Sequence, residues 1–157
     1  MTMPLFAILH AVQLLLIGVL AGEELLVRYG VQPALRSLPD GAHVSTRIAL
    51  VKRLKVVVPI LMLPTVLASA AVVVAAPPAG ASTASFGWSI AGLAALVAFL
   101  LASFLGTVPI NMAVDRWDAS APPADWRRTV HRWESIDTVR SGAAAVSFAL
   151  FVVAALV

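Results

Sequence analysis

Residues 56–114 read VVVPILMLPTVLASAAVVVAAPPAGASTASFGWSIAGLAALVAFLLASFLGTVPINMAV and carry no Asp, Glu, Lys or Arg. A charge at the bilayer centre costs at least ~2.5 to 3.5 kcal/mol on insertion scales, so so long a charge-free run is where lipid can be. A span needs ~20 apolar residues. The run therefore holds two, about residues 56–76 and about residues 88–113. The segment between them, PPAGASTASFG, is small, uncharged and turn-forming, as expected of a short loop. Pro59 and Pro64 fall in the first half of the earlier span and are expected to kink it.

Outward from this run, all eleven Lys and Arg and all eight Asp and Glu lie in two windows, residues 23–55 and 115–140. The first window has a surplus of three cations and the second is balanced. Two further apolar stretches flank the windows, about residues 4–27 and about residues 141–157. With 61% hydrophobic and 12% charged residues and a mean hydropathy of +0.95, the chain is far more apolar than a soluble domain. The expected fold is a single all-α domain, an integral membrane four-helix bundle. Its last helix carries a juxtamembrane extension, because no breaker intervenes between the Pro122-Pro123 start signal and Gly142. Residues 31–46, with Pro33, Pro39, Asp40 and Gly41, are expected to be a turn-rich connection. The first stretch has no basic segment ahead of it, so it is read as a retained span rather than a secretory signal.

Both windows are connections on the same side of the membrane, and every basic residue falls in them. The positive-inside rule puts them in the cytoplasm, with both termini outside, in a plasma (inner) membrane. A net charge of +3 does not call for nucleic acid, and the basic residues serve topology and contacts to anionic lipid. The expected partners are the lipid bilayer and a small hydrophobic substrate, and a homo-oligomer is compatible with the pattern. Cysteine is absent, which removes disulfides, thiolate metal sites and a cysteine nucleophile.

The residues that could carry chemistry sit at the inner edges of the windows. Glu24 either pairs with Arg28 at the interface or turns inward as a proton acceptor, ligand or counter-ion. Glu23 is the more exposed of the two. Gln13 shares a helical face with Glu24 and is a candidate substrate contact, as is His10 nearby for a helix-to-helix hydrogen bond. Ser103, Thr107 and Asn111 form one ridge at i,i+4 spacing. Asn111 is the member that needs several partners. In the last helix Trp126, Val130, Trp133, Asp137 and Arg140 form a stripe that enters the hydrocarbon. A buried Arg140 requires a partner, for which Glu24, Asp137 and Asn111 are the candidates. His131 and Glu134 have a metal-like i,i+3 spacing, but on an amphipathic surface helix that pair is solvated.

The string Val108-Pro109-Ile110-Asn111, then Trp117, Trp126-Arg127-Arg128, and Arg132-Trp133 with Arg140 beyond, resembles the anthrone oxygenase-like family of small four-span membrane proteins. The resemblance covers most of the chain in topology. It is residue-specific from about residue 106 to 145 and at Ala21-Gly22. It implies oxidation of anthrones to anthraquinones during polyketide biosynthesis, with Asn111, Trp133 and Arg140 at family-pattern positions. Asp137 departs from the pattern, which often has His or Asn three residues before the arginine. The resulting expectation is a membrane oxygenase-like protein acting on an anthrone- or phenol-type substrate. Glu24, Asn111, Asp137 and Arg140 would be catalytic, and Gln13, Thr107 and Trp133 would bind substrate. No cofactor is needed for that chemistry, although His10, His43 and His131 leave a metal or heme open. A non-catalytic scaffold and a small proton-coupled transporter are the alternatives. The transporter is the weaker, since its acidic site belongs near the midplane.

Overall fold

The computed structural model describes residues 3–157, and among them every regular element is helical. Four long helices are apolar enough to cross a membrane: Pro4–Arg36, Asp40–Ala75, Thr83–Val114 and Trp126–Leu156. They are called α1 to α4 below. The expected spans match them to within one residue at the ends of the second and fourth and lie inside the other two, but three of the helices run further than the apolar stretches do.

The expected connection at residues 31–46 is mostly helix instead. The chain leaves Met3–Leu26, widens into a π turn at Val27–Val31 and resumes as α-helix over Gln32–Arg36. α2 then begins at Asp40, directly after Pro39, whose extended ψ of 151° places it as the residue before a helix start. Pro33 does not break α1 because the turn before it is already widened. The Gln32 N–H bonds back to the Val27 carbonyl, five residues away, and Pro33 takes a place in the first turn of the next α segment.

The same device recurs in α3. There a π turn at Ser103–Thr107 precedes Val108–Val114, the Val108 N–H bonds the Ser103 carbonyl, and Pro109 follows immediately. A proline ring in a regular helix collides with the carbonyl four residues earlier, and a widened turn moves that carbonyl aside. Gly30-Val-Gln-Pro33 and Gly106-Thr-Val-Pro109 thus mark two equivalent bulges, one in each helix that faces α4. In α2 the helix continues through Pro59 and Pro64, and the Thr65 hydroxyl donates to the Leu61 carbonyl at 2.7 Å.

α4 is one uninterrupted helix from Trp126, as the lack of a breaker before Gly142 implies. It is the central element, packed most extensively on α3 and also on α1, while α1 in turn packs on α2. Two glycines of α3 make the closest approach possible. A Cβ at Gly92 would lie 2.8 Å from the Phe151 ring, and one at Gly106 would lie 2.6 Å from Ile136. Away from the charged windows, Ser85 and Ser147 tie the two helices by donating to the carbonyls of Ala154 and Gly92, at 2.6 and 2.8 Å. One apolar core gathers Ile17, Leu20, Leu96, Phe99 and Ala144, and another gathers Val44, Ile48, Val51, Ile110, Val114 and Trp133. The candidate site lies where the two meet.

Candidate active site

Arg140 organises the polar interior. It sits at the end of the α4 stripe and is almost wholly buried, so every charged neighbour matters. Its Nη2 donates to the Glu24 carboxylate and its Nε to the Ser103 hydroxyl at 3.0 Å. Its Nη1 stands 3.6 Å from Asp137 Oδ1, and the guanidinium lies over the Phe99 ring. The i,i+3 spacing of Asp137 and Arg140 makes that approach geometrically natural on one helix face. Glu24 is 2% exposed and Asp137 is 0% exposed. Of the two readings of Glu24, the inward one holds: it pairs with Arg140, while Arg28 donates to Thr138 Oγ1 instead.

Asp137 is held from the other side by Gln32, whose Nε2 donates to Oδ2 at 2.6 Å. The π turn explains how Gln32 gets there. In a regular helix eight residues rotate a side chain ~80° away from Glu24, whereas absorbing one residue in a bulge brings the offset to about 20°. Glu24 and Gln32 therefore both face α4. Ser103 and Asn111 span the α3 bulge with the same spacing and face the same interior. Asp137 Oδ1 has no hydrogen-bond partner among the described residues, its contact with Arg140 Nη1 being too long to count as one.

These side chains line a cavity of about 280 Å³ between all four helices. Glu24, Asn111, Asp137, Arg140, Thr107 and Trp133 all reach it, as do Ser103 and the second glutamate, Glu23, which has a buried, unpartnered Oε2. The remaining wall is largely aliphatic, from Val27, Val51, Leu54, Val58, Pro59 and Met62. At its edge the Lys55 ammonium donates to Asp115 at 2.7 Å and holds that carboxyl below the usual carboxylate range. Asn111 is half-buried and makes no side-chain hydrogen bond among the described residues, which leaves its amide free to meet a ligand.

Gln13 is not at this site. It is buried away from the cavity wall and donates to Ser69 Oγ at 3.2 Å. It shares a face with Glu24, but eleven residues separate them by ~16 Å along the axis. His131 is exposed, and Glu134 accepts two hydrogen bonds from Arg36 instead of serving a metal. Among the described residues no group of three or more His, Cys, Asp or Glu is arranged to hold a metal ion. Gln32 and the buried Arg47 are the residues that sequence reasoning missed, while Glu23, read there as the more exposed of the acidic pair, is so and still lines the cavity. The repeated Gly-x-x-Pro is the signal that could have located the first.

Fold and site together define a small all-helical membrane protein with an acid-rich, otherwise apolar cavity held by one buried arginine. The chain belongs to the anthrone oxygenase family, whose family model matches residues 49–150. That match takes in Asn111, Trp133, Asp137 and Arg140, and leaves Glu24 and Gln32 outside it. No curated protein and no solved structure matches the chain.

Proposed function

We propose that this protein oxidises an anthrone- or phenol-type aromatic with dioxygen inside the cavity, without a resident cofactor. The observation that carries the reading is Asp137 Oδ1, a fully buried carboxylate oxygen without a hydrogen-bond partner among the described residues, on the wall of the cavity. At about 280 Å³ the cavity is close to the lower end of small-molecule sites, ~300 to 1,000 Å³.

An anthrone has an acidic CH2 conjugated with a carbonyl. Asp137 takes a proton from that carbon, and the electron pair moves onto the carbonyl oxygen to give an electron-rich enolate. Asn111 donates to the developing oxyanion, and Arg140 supplies positive potential in a site of low dielectric. The enolate passes one electron to dioxygen, and the resulting radical and superoxide combine at the same carbon as a peroxide. Protonation and loss of water, with removal of the second C–H proton, leave a new carbonyl there. The balance is one anthrone and one dioxygen to one anthraquinone and one water. Trp133 forms part of the ring slot. Glu24 does not act as the base, because its carboxylate is committed to Arg140; it is a positioning residue.

The charged windows are assigned to the cytoplasmic side of a plasma membrane on the positive-inside rule, which puts this cavity at the cytoplasmic mouth of the helices. The test is oxygen uptake and anthraquinone formation by the protein in lipid nanodiscs supplied with anthrone. Asp137→Asn is expected to lower the rate by ~10² to 10⁴, and Asn111→Ala by ~10² to 10³. Turnover unchanged in Asp137→Asn refutes the assignment.

A further inference from the structure

Beside the main cavity lies a second chamber of about 40 Å³, and the two share Val27, Val51, Leu54, Asn111 and Trp133 as walls. A water needs ~10 to 15 Å³ on this kind of measure, so the chamber has room for a few heavy atoms and not for a ring. Its polarity is opposite to that of its neighbour. Four carboxylates, Glu23, Glu24, Asp115 and Asp137, outnumber the two cations Lys55 and Arg140 on the large cavity, whereas no carboxylate lines the small one and its charged residue is Arg47.

Two donors on its wall lack acceptors. Arg47 is 5% exposed and Trp133 is 7% exposed, yet Arg47 Nη2 and Trp133 Nε1 are buried without a hydrogen-bond partner among the described residues. Groups of this kind are rarely left unpaired, because a buried donor has lost its water and gained nothing in return. The groups facing Arg47 leave its charge poorly compensated. Its Nε donates to His43 Nε2 at 3.4 Å, and its cation lies over the Trp133 ring. Glu134 is 4.0 Å away and its two oxygens already accept from Arg36.

We propose that the small chamber is a carboxylate subsite, so that the substrate is an aromatic acid whose carboxylate sits against Arg47 and the Trp133 N–H. The guanidinium fork matches the two oxygens of a carboxylate, and a charge-assisted hydrogen bond in a buried site is among the stronger ones available. The acid group then anchors the charged-window end of the molecule while the rings occupy the large cavity, where Asp137 meets the carbon to be oxidised. The inference rests on the oxidation reading for its substrate, but it is tested by binding alone.

Calorimetric titration of the full chain in nanodiscs, against empty nanodiscs, compares naphthalene-2-carboxylate with its uncharged carboxamide. The carboxylate is expected to bind roughly tenfold or more tightly. Arg47→Met is expected to abolish that preference, and Arg47→Lys to keep part of it. Equal binding of the two probes to the unaltered protein overturns the subsite, and this comparison needs no variant to fold. A preference that survives Arg47→Met also overturns it. If neither probe binds, the subsite and the aromatic-cavity reading fall together. Failure of the oxidation assay alone leaves the binding result standing.

Discussion

Replacing Arg140 by methionine is expected to destabilise this protein more than any other single polar-to-apolar change in the membrane interior. The substitution keeps most of the side-chain volume but removes the donors to Glu24 and Ser103, the cation 3.6 Å from Asp137 and the cation over Phe99. Glu24 and Asp137 stay buried, Asp137 with only Gln32 to bond and Glu24 with no cation. Removing one partner of a buried ion pair costs ~3 to 5 kcal/mol, chiefly because the other charge is stranded. The cost is therefore expected to be partly relieved by removing the stranded charge as well. Glu24→Leu in the Arg140→Met background is expected to restore at least ~1 kcal/mol, and the coupling across the cycle is larger than this by the cost of Glu24→Leu alone. The rescue is incomplete because Asp137 remains. Unfolding of the protein in mixed micles of rising SDS content, followed by helical circular dichroism across the four members of the cycle, measures both quantities. A cost below ~1 kcal/mol for Arg140→Met, or effects of the two substitutions that simply add, would refute a tightly coupled buried pair.

Gly106→Ala puts a methyl within 2.6 Å of Ile136, so the α3 bulge must move away from α4. The expected loss is ~1 to 3 kcal/mol of stability together with weaker binding of aromatic probes, and Gly106→Ala combined with Ile136→Ala, which removes the Ile136 Cγ2 methyl, is expected to recover part of the probe affinity. Gln13→Leu is expected to leave probe affinity unchanged, since it touches Ser69 and not the cavity, while costing ~1 kcal/mol through the lost hydrogen bond; a large affinity loss would place Gln13 back in the site. The chain contains no cysteine, so Thr83→Cys offers a clean probe of orientation. Labelling by an impermeant maleimide on intact cells is expected, and labelling only after lysis reverses the topology. Lys55→Met removes the ammonium that bonds Asp115 at 2.7 Å. Because this pair is exposed, stability is expected to change by under ~1 kcal/mol, measured on the same SDS scale.

The spans were legible because the cost of burying charge is large and one-signed, and it leaves a pattern in the sequence that needs no tertiary information. The start of α4 and its continuation into the membrane were legible for a similar local reason, a proline pair followed by a long stretch without a breaker. The connection between α1 and α2 was not. Gly30 and Pro33 are turn signals in water, but in α1 they sit at a π turn that accommodates the proline and lets the helix go on to Arg36. Local propensity reads the cost of a missing N–H and does not read the widened turn that absorbs it. The error propagated to the site, because the direction of Gln32 depends on the bulge and a regular helix points it elsewhere. Arg47 was obscured differently. It belongs to a window of six cations that together read as a topology signal, and only packing against Trp133 and His43 distinguishes it from Lys52 or Arg53.

Convergence of Glu24, Asn111, Asp137 and Arg140 was also foreseeable, and for that reason it is weak evidence of catalysis by itself. Polar side chains at the edge of hydrocarbon must find each other, whether they form a site or merely staple helices together. What separates the two cases is what remains after pairing. Gln13, which pairs with Ser69 away from the cavity, also keeps an unpartnered Oε1, so a leftover group counts toward a site only where its residue lines the cavity. Here Asp137 Oδ1 and Trp133 Nε1 are left over, an acceptor and a donor without partners on residues that line the cavity, with the Asn111 amide on the same wall. A network that served stability alone would gain by closing those gaps with packed apolar groups. Their persistence argues for a ligand, and their chemistry argues for one that gives up a proton on one side and offers oxygen on the other.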